Sequence, residues 1–326
     1  MHAPKTMSYN PRQFVDREPE LAAFKACLQS TEERPVLLFH GQLGAGKSSI
    51  LRHLHALCGQ TRTTCVLLDF QHDPLDTPEE IIRLLSKRIG GAFAEAIERE
   101  RKEIDSERKA RQQARLAEYL KSLAPVSGLQ APLLAAQPAS SDDIRGTIGD
   151  QGPGSQAAIG KNIVQYQVVN KVYLEPETTP AEAQKERVRR LSEKLWELLT
   201  GLAAREPVVL LFDSCDMATS EAIVWLRTEL LSRLLEASPP APGNLATVIV
   251  GDPRCKKAVW LDTMAGWGER VDAHKLDNLP PEAVREYWVK IRGLDEGRLR
   301  AIFGTAGVLP DLLVGMADRF AGGPGQ

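Results

Sequence analysis

The chain has 326 residues, enough for one substantial core with a smaller second domain or a large insertion. Hydrophobic residues make up 43% and charged residues 26%, which excludes a disordered or fibrous chain and fits an ordinary globular one. The net charge of −2 gives no global attraction to nucleic acid or anionic membrane, and no segment approaches the length of a membrane span.

Met1 to Asn10 holds no apolar stretch of the kind that opens a secreted chain. Cys27, Cys58, Cys65, Cys215 and Cys255 are scattered, with no C-x-x-C pair and no zinc-like spacing. A reducing, cytoplasmic setting is expected, with no membrane partner.

The first buried-strand candidate is Val36–His40. Directly after it, Gly41-Gln42-Leu43-Gly44-Ala45-Gly46-Lys47-Ser48 forms a complete phosphate-binding loop. The run Ser49 to Leu57 that follows reads as an amphipathic helix. Strand, glycine turn and helix in that order give the motif its mechanism. Glycines allow successive backbone N–H groups to surround β- and γ-phosphates, and the helix start adds its positive dipole end. Lys47 then reaches those phosphates, and the Ser48 hydroxyl holds Mg²⁺. The expected nucleotide contacts are Gly41, Gly44, Ala45, Gly46, Lys47, Ser48 and Ser49.

Cys65–Phe70 is a second apolar run. Thr77-Pro78-Glu79-Glu80 then opens a helix whose Ile81, Leu84, Leu85 and Ile89 share one face. The stretch from Phe70 to Val208 is far longer than a strand–helix–strand crossover needs, so it contains an insertion. Glu95–Lys121 mixes charges of both signs and suits a solvated helix or coiled-coil arm. Ala124–Gly160 is rich in Ala, Pro, Gly, Ser and Gln and reads as a linker. Asn162–Leu174 alternates in a way that fits one or two strands. Ala183–Leu202 returns to helical spacing.

Val208–Phe212 is a third buried strand, and it ends in Asp213. In a phosphate-loop fold this strand is expected beside the one preceding the loop, with Asp213 facing the metal shell. The alternative is a simple polar strand end. Asp216, three residues on, can orient or deprotonate an attacking water, or serve only as a helix-start acid. Ser220–Leu235 is a helix, and Thr247–Val250 is the fourth strand. Four short apolar runs separated by helices predict a parallel sheet covered on both faces. No N-K-x-D guanine motif follows the loop, so ATP is expected over GTP.

Several of these segments together resemble the STAND class of AAA+-related signalling ATPases, which includes NACHT and NB-ARC modules. Phe14-Val15-Asp16-Arg17-Glu18-Pro19-Glu20-Leu21 is similar to the family's F-V-G-R-E-x-E-L motif, with Asp16 at the usual glycine. That similarity implies that Val15 lies against adenine. Leu211 to Asp216, with Trp225-Leu226-Arg227, resembles the D-T-Y-E…W-L-R pattern. Asp216 then stands in the place of the family's Glu, and Ser214 stands where many related ATPases have a second acid. Thr247 to Arg254 resembles the fourth strand and its sensor, which implies Arg254 as the γ-phosphate arginine. Leu276 to Ala283 resembles the start of a small helical lid. Gly307-Val308-Leu309-Pro310 resembles the G-x-P element, which implies that Pro310 packs on adenine.

The resemblance implies a P-loop NTPase α/β fold with a parallel sheet, helices on both faces, a large helical and linker insertion, and a small C-terminal helical lid. The expected division is 1–94 and 181–275 for the two parts of the ATPase domain, 95–180 for the insertion and 276–326 for the lid. It further implies an ATP- and Mg²⁺-dependent switch with slow turnover, in which Lys47, Asp216 and Arg254 are catalytic and Ser48 and Asp213 hold the metal. A homo-oligomer with a protein effector or sensor is expected, and no nucleic-acid partner. A loader or remodelling ATPase of the wider AAA+ group and a non-hydrolysing ATP-binding scaffold are the competing readings.

Overall fold

The computed structural model describes residues 14–29, 35–73, 75–123, 179–236, 244–252 and 270–321. In chain order these form α1 (Glu18–Gln29), β1 (Val36–His40), α2 (Lys47–Gln60), β2 (Thr64–Asp69), α3 (Pro78–Ile89) and α4 (Gly91–Leu123). Next come α5 (Pro180–Ala203), β3 (Val208–Asp213), α6 (Ser220–Trp225), α7 (Ser232–Glu236), β4 (Leu245–Gly251) and β5 (Val271–Lys275). The last three are α8 (Pro281–Arg285), α9 (Glu296–Phe303) and α10 (Pro310–Ala321). None of these helices is long and apolar enough to cross a membrane. The chain divides into two compact units, Met1–Glu98 with Arg190–Gln326, and Arg99–Arg189.

The first unit is built on a five-stranded sheet of order β2-β3-β4-β1-β5, every neighbouring pair parallel. This order corrects one expectation. β3 does not lie beside β1, because β4 runs between them, with Val36 opposite Thr247 on one side and Val208 opposite Leu245 on the other. All seven residues of β4 are buried, as a strand bonded on both edges and covered on both faces requires.

Strand pleat sends alternate residues to opposite faces. Leu37, Phe39, Val209, Leu211, Val248 and Val250 meet Phe24 of α1 and Ile50, Leu51 and Leu54 of α2 in one apolar layer. Leu210, Phe212 and Ile249, one residue out of step, are equally buried on the other face. On α3, Thr77 closes a capping box with Glu80, and Pro78 sits in the first turn, where its missing N–H costs nothing. Trp225 of α6 donates its indole N–H to Ser192 of α5 at 2.8 Å.

The helix expected over 220–235 is present but locally underwound. Between α6 and α7, Leu226–Leu231 takes the wider π geometry, and the Ser232 hydroxyl donates to the carbonyls of Arg227 and Thr228. In the second unit, α4 continues as an exposed, mixed-charge helix, and Arg187 of α5 pairs with Asp105. The linker expected over Ala124–Gly160 and the strands expected over Asn162–Leu174 lie outside the described residues.

The carboxy-terminal helices of the first unit have their own core. Trp288 is fully buried there, edge-on to Phe303 and Phe320, among Leu279, Tyr287, Leu299 and Leu313. Leu279 and Val308 exchange backbone hydrogen bonds of 2.8 and 3.1 Å, which brings the chain ahead of α10 back beside the chain ahead of α8.

Candidate functional site

The loop after β1 turns sharply at two glycines. Gly44 and Gly46 both have φ of +84°, a left-handed conformation that residues with a Cβ rarely adopt. Ile50 N–H donates to Gly46 O at 3.0 Å, so α2 begins directly at the loop. Ala45 is fully buried, and Ser49 follows Ser48 in the first turn of α2. The Lys47 ammonium donates to Gly41 O at 2.8 Å and Gln42 O at 2.9 Å, lying across its own loop.

Ser48 Oγ donates to Asp213 Oδ1 at 3.1 Å, and Ser214 N–H donates to the same oxygen at 2.8 Å. The contact forms although β1 and β3 are not neighbours, because α2 packs over β2, β3 and β4 together. Asp213 is 2% exposed. Burial pushes its carboxyl above the usual carboxylate range; the Ser48 hydrogen bond opposes this, and the neighbouring Asp69 adds to it. A hydroxyl and a carboxylate are hard oxygen donors, and Mg²⁺ takes one or two such protein ligands alongside substrate phosphates. The residues fit that ion. Among the described residues no group of three or more His, Cys, Asp or Glu is gathered as a metal site of its own.

Asp216 stands in the short turn Cys215–Met217, which Ser214 starts from a left-handed φ of +54°. Cys215 is fully buried beneath it, and its thiol is pushed up by burial first, then by Asp213, Asp216 and Asp69. The three carboxylates therefore share one end of the sheet. Asp69 is the register partner of Asp213, and it also meets His72 Nδ1 at 2.8 Å. Sequence reading passed over Asp69, although its place at the end of a buried strand was the available signal.

The amino-terminal segment reaches the same loop. Phe14 stacks on His53 of α2 with ring centroids 4.0 Å apart, and Val15 packs against the carboxy-terminal helical core. Asp16 has φ of +61°, so it takes the backbone shape that a glycine would supply. Arg17 was missed as a site residue. It is 7% exposed, pairs with Glu20 at 3.3 Å, and donates to Ala45 O at 3.0 Å and Asp277 O at 2.7 Å.

Pro310 lies against the loop as well, its Cγ 3.3 Å from where a Gly46 Cβ would stand. Asp311 N–H donates to Gly44 O at 3.3 Å. A Cβ on Gly41 would meet Leu276 O at 2.8 Å, so the first turn of the loop touches the chain leaving β5. Beside that contact is a cleft of about 590 Å³, lined by His40, Gly41 and Gln42 on one side and Lys275 to Asn278 on the other. That volume suits a small organic ligand. The structure thus brings together Gly41, Gly44, Ala45, Gly46, Lys47, Ser48, Ser49, Asp213 and Pro310, with Asp216 in the short turn after Asp213 and Val15 on the carboxy-terminal core. Arg254 lies outside the described residues.

A family model, AAA_16, described as an AAA ATPase domain, matches residues 13–249. Among solved structures, this chain is similar to the Orc1 protein of Aeropyrum pernix, determined in complex with DNA, at 14% identity and a TM-score of 0.39. That alignment covers 97% of this chain and 63% of the other, a likeness too slight to bear on function. No curated protein gives a significant match.

Proposed function

Because the chain belongs to the AAA ATPase domain family, on the match over residues 13–249, we propose that it binds ATP with Mg²⁺ and hydrolyses it slowly as a molecular switch. The observation that carries this reading is the 3.1 Å contact from Ser48 Oγ to Asp213 Oδ1 below the phosphate loop. In the proposed complex the amides of Gly44 to Ser49 and the Lys47 ammonium hold the β- and γ-phosphates, while Ser48 and Asp213 hold the ion. Mg²⁺ supplies charge neutralisation on the phosphate oxygens. Asp216 orients the attacking water and accepts its proton, and Arg254 steadies the transferred phosphoryl group. Ser214, in place of a second acid after Asp213, favours slow turnover.

The switch reading rests on contacts between the loop and the carboxy-terminal helices. Val15 and Pro310 serve as the adenine side, and Arg17, Pro310 and Asp311 link the loop to the 277–321 segment. A ligand shifts a conformational equilibrium only by binding one state better, and a γ-phosphate at this seam has that opportunity. Together with the segments similar to STAND proteins, this supports a cytoplasmic switch that governs assembly of a signalling or defence complex. Its partners would be copies of itself and a protein effector or sensor. The mixed charges of α4 favour neither nucleic acid nor membrane as a partner. Light scattering tests the switch: the mass in solution is expected to change when Mg-ATP replaces Mg-ADP, and constancy would remove the case for nucleotide-driven assembly.

Asp213→Asn tests the site. Asparagine can accept the same hydrogen bonds without a buried charge, so the nucleotide-free protein is expected to be at least as stable as wild type. Its Mg²⁺-dependent gain in ATP affinity is expected to vanish in calorimetry. The pH dependence has a definite sign. The folded-state pKa of Asp213 is raised, so the native state holds this proton longer than the unfolded chain does. Wild-type stability then falls as pH rises from the unfolded value, about 4, through the raised one. Urea midpoints of wild type and variant should converge at low pH, with the variant ahead above that window. A variant that lags at pH 7 and still responds to Mg²⁺ would count against the assignment.

A further inference from the structure

Asp311 is the second residue of α10, and three of its side-chain atoms lie against the tip of the phosphate loop. From the position of a Gly44 Cβ, Asp311 Cβ is 3.5 Å away, Oδ2 3.6 Å and Cγ 3.9 Å. The backbone holds it there, through Asp311 N–H to Gly44 O at 3.3 Å, with Pro310 seated on Gly46. A loop whose amides face inward to wrap anions thus has a carboxylate against its outer wall. The α10 amino terminus, a place where an acid is favourable, accommodates that charge.

We propose that Asp311 sets the preference between di- and triphosphate at this loop: while α10 is docked, its carboxylate disfavours the extra negative charge of a γ-phosphate. Lifting α10 relieves the repulsion, so a triphosphate selects the undocked arrangement and a diphosphate tolerates the docked one. The inference rests on the nucleotide reading above and adds to it the group through which the terminal phosphate is sensed. Asp311 is exposed, so solvent and salt weaken the effect without abolishing it.

Calorimetry on the full chain tests this, using Mg-ADP and the Mg complex of a non-hydrolysable ATP analogue with wild type, Asp311→Asn and Asp311→Ser. Both variants can still accept hydrogen bonds at the helix start, so folding should survive, and a melting curve checks it. The analogue is expected to bind about fivefold tighter to either variant, while ADP affinity changes less than about twofold. In wild type, the preference for ADP over the analogue should shrink as potassium chloride is raised. Equal changes for both nucleotides would place the carboxylate on the shared ribose or base and overturn the proposal, and so would no change for either. Wild type that takes up neither nucleotide overturns the nucleotide reading itself, which tells the two failures apart.

Discussion

Lys47→Ala is expected to lose ATP affinity by about a hundredfold or more. The ammonium already lies across the loop mouth, 2.8 Å from Gly41 O and 2.9 Å from Gln42 O, so a bound phosphate needs only a small swing of the side chain. Each charge-assisted hydrogen bond is worth about 1.5–3 kcal/mol, and two to the β- and γ-phosphates account for a loss of that size. Thermal melting gives the direct readout. Mg-ATP at about 100 times its Kd adds roughly 2.7 kcal/mol to the folded state. For a domain of this size that raises Tm by about 5–10 °C. Wild type should show the rise and the variant should not. Lys47 is itself only half-buried, so the variant's melting point without nucleotide should stay close to wild type. Equal stabilisation of both proteins would exclude the loop as the phosphate site.

Arg17→Ala carries the largest expected cost in stability, about 3–5 kcal/mol in urea denaturation. The guanidinium is buried and engages three partners, the neighbouring Glu20 and, from distant parts of the chain, Ala45 O and Asp277 O. Truncation leaves Glu20, itself 7% exposed, as a buried carboxylate without its cation, and leaves two carbonyls short of a donor. Arg17→Lys should rescue little, because a single ammonium cannot reproduce a planar fork with several donors. Arg17→Ala combined with Glu20→Ala should recover part of the loss, since the stranded charge is then gone. A loss below about 1 kcal/mol for Arg17→Ala would mean that solvent reaches the cluster freely.

Much of the fold was legible because its strands are central. Val36–His40 and Val208–Asp213 read as apolar runs since both faces of the sheet are covered there. β5 escaped detection for the converse reason. Val271-Asp272-Ala273-His274-Lys275 is an edge strand with partly exposed polar positions, and it shows neither a continuous apolar run nor clean alternation. The position of β4 between β1 and β3 was also hidden, since pairing order depends on which buried faces fit together and not on any one strand's composition. The π turn at Leu226–Leu231 has the same origin, because its apolar residues still suit helical spacing.

Within the site, the loop and Asp213 were readable because their chemistry fixes their spacing. Arg17 was not, because its partners Ala45 and Asp277 contribute backbone carbonyls, which leave no trace in residue type. Asp311 was hidden likewise. A lone acid in the first turn of a helix looks like ordinary capping until the loop it touches is known.

The close fit of Gly41 to Leu276 O makes this glycine a spacer between two packed segments as well as a phosphate-loop residue. Any side chain there acts as a wedge, pressing apart the loop and the segment that leads toward α8. Damage at position 41 would therefore propagate first along the chain toward the carboxy-terminal helices, with the anion cradle only secondarily disturbed. The first glycine of the motif has two neighbours to satisfy, and the protein one is the less forgiving.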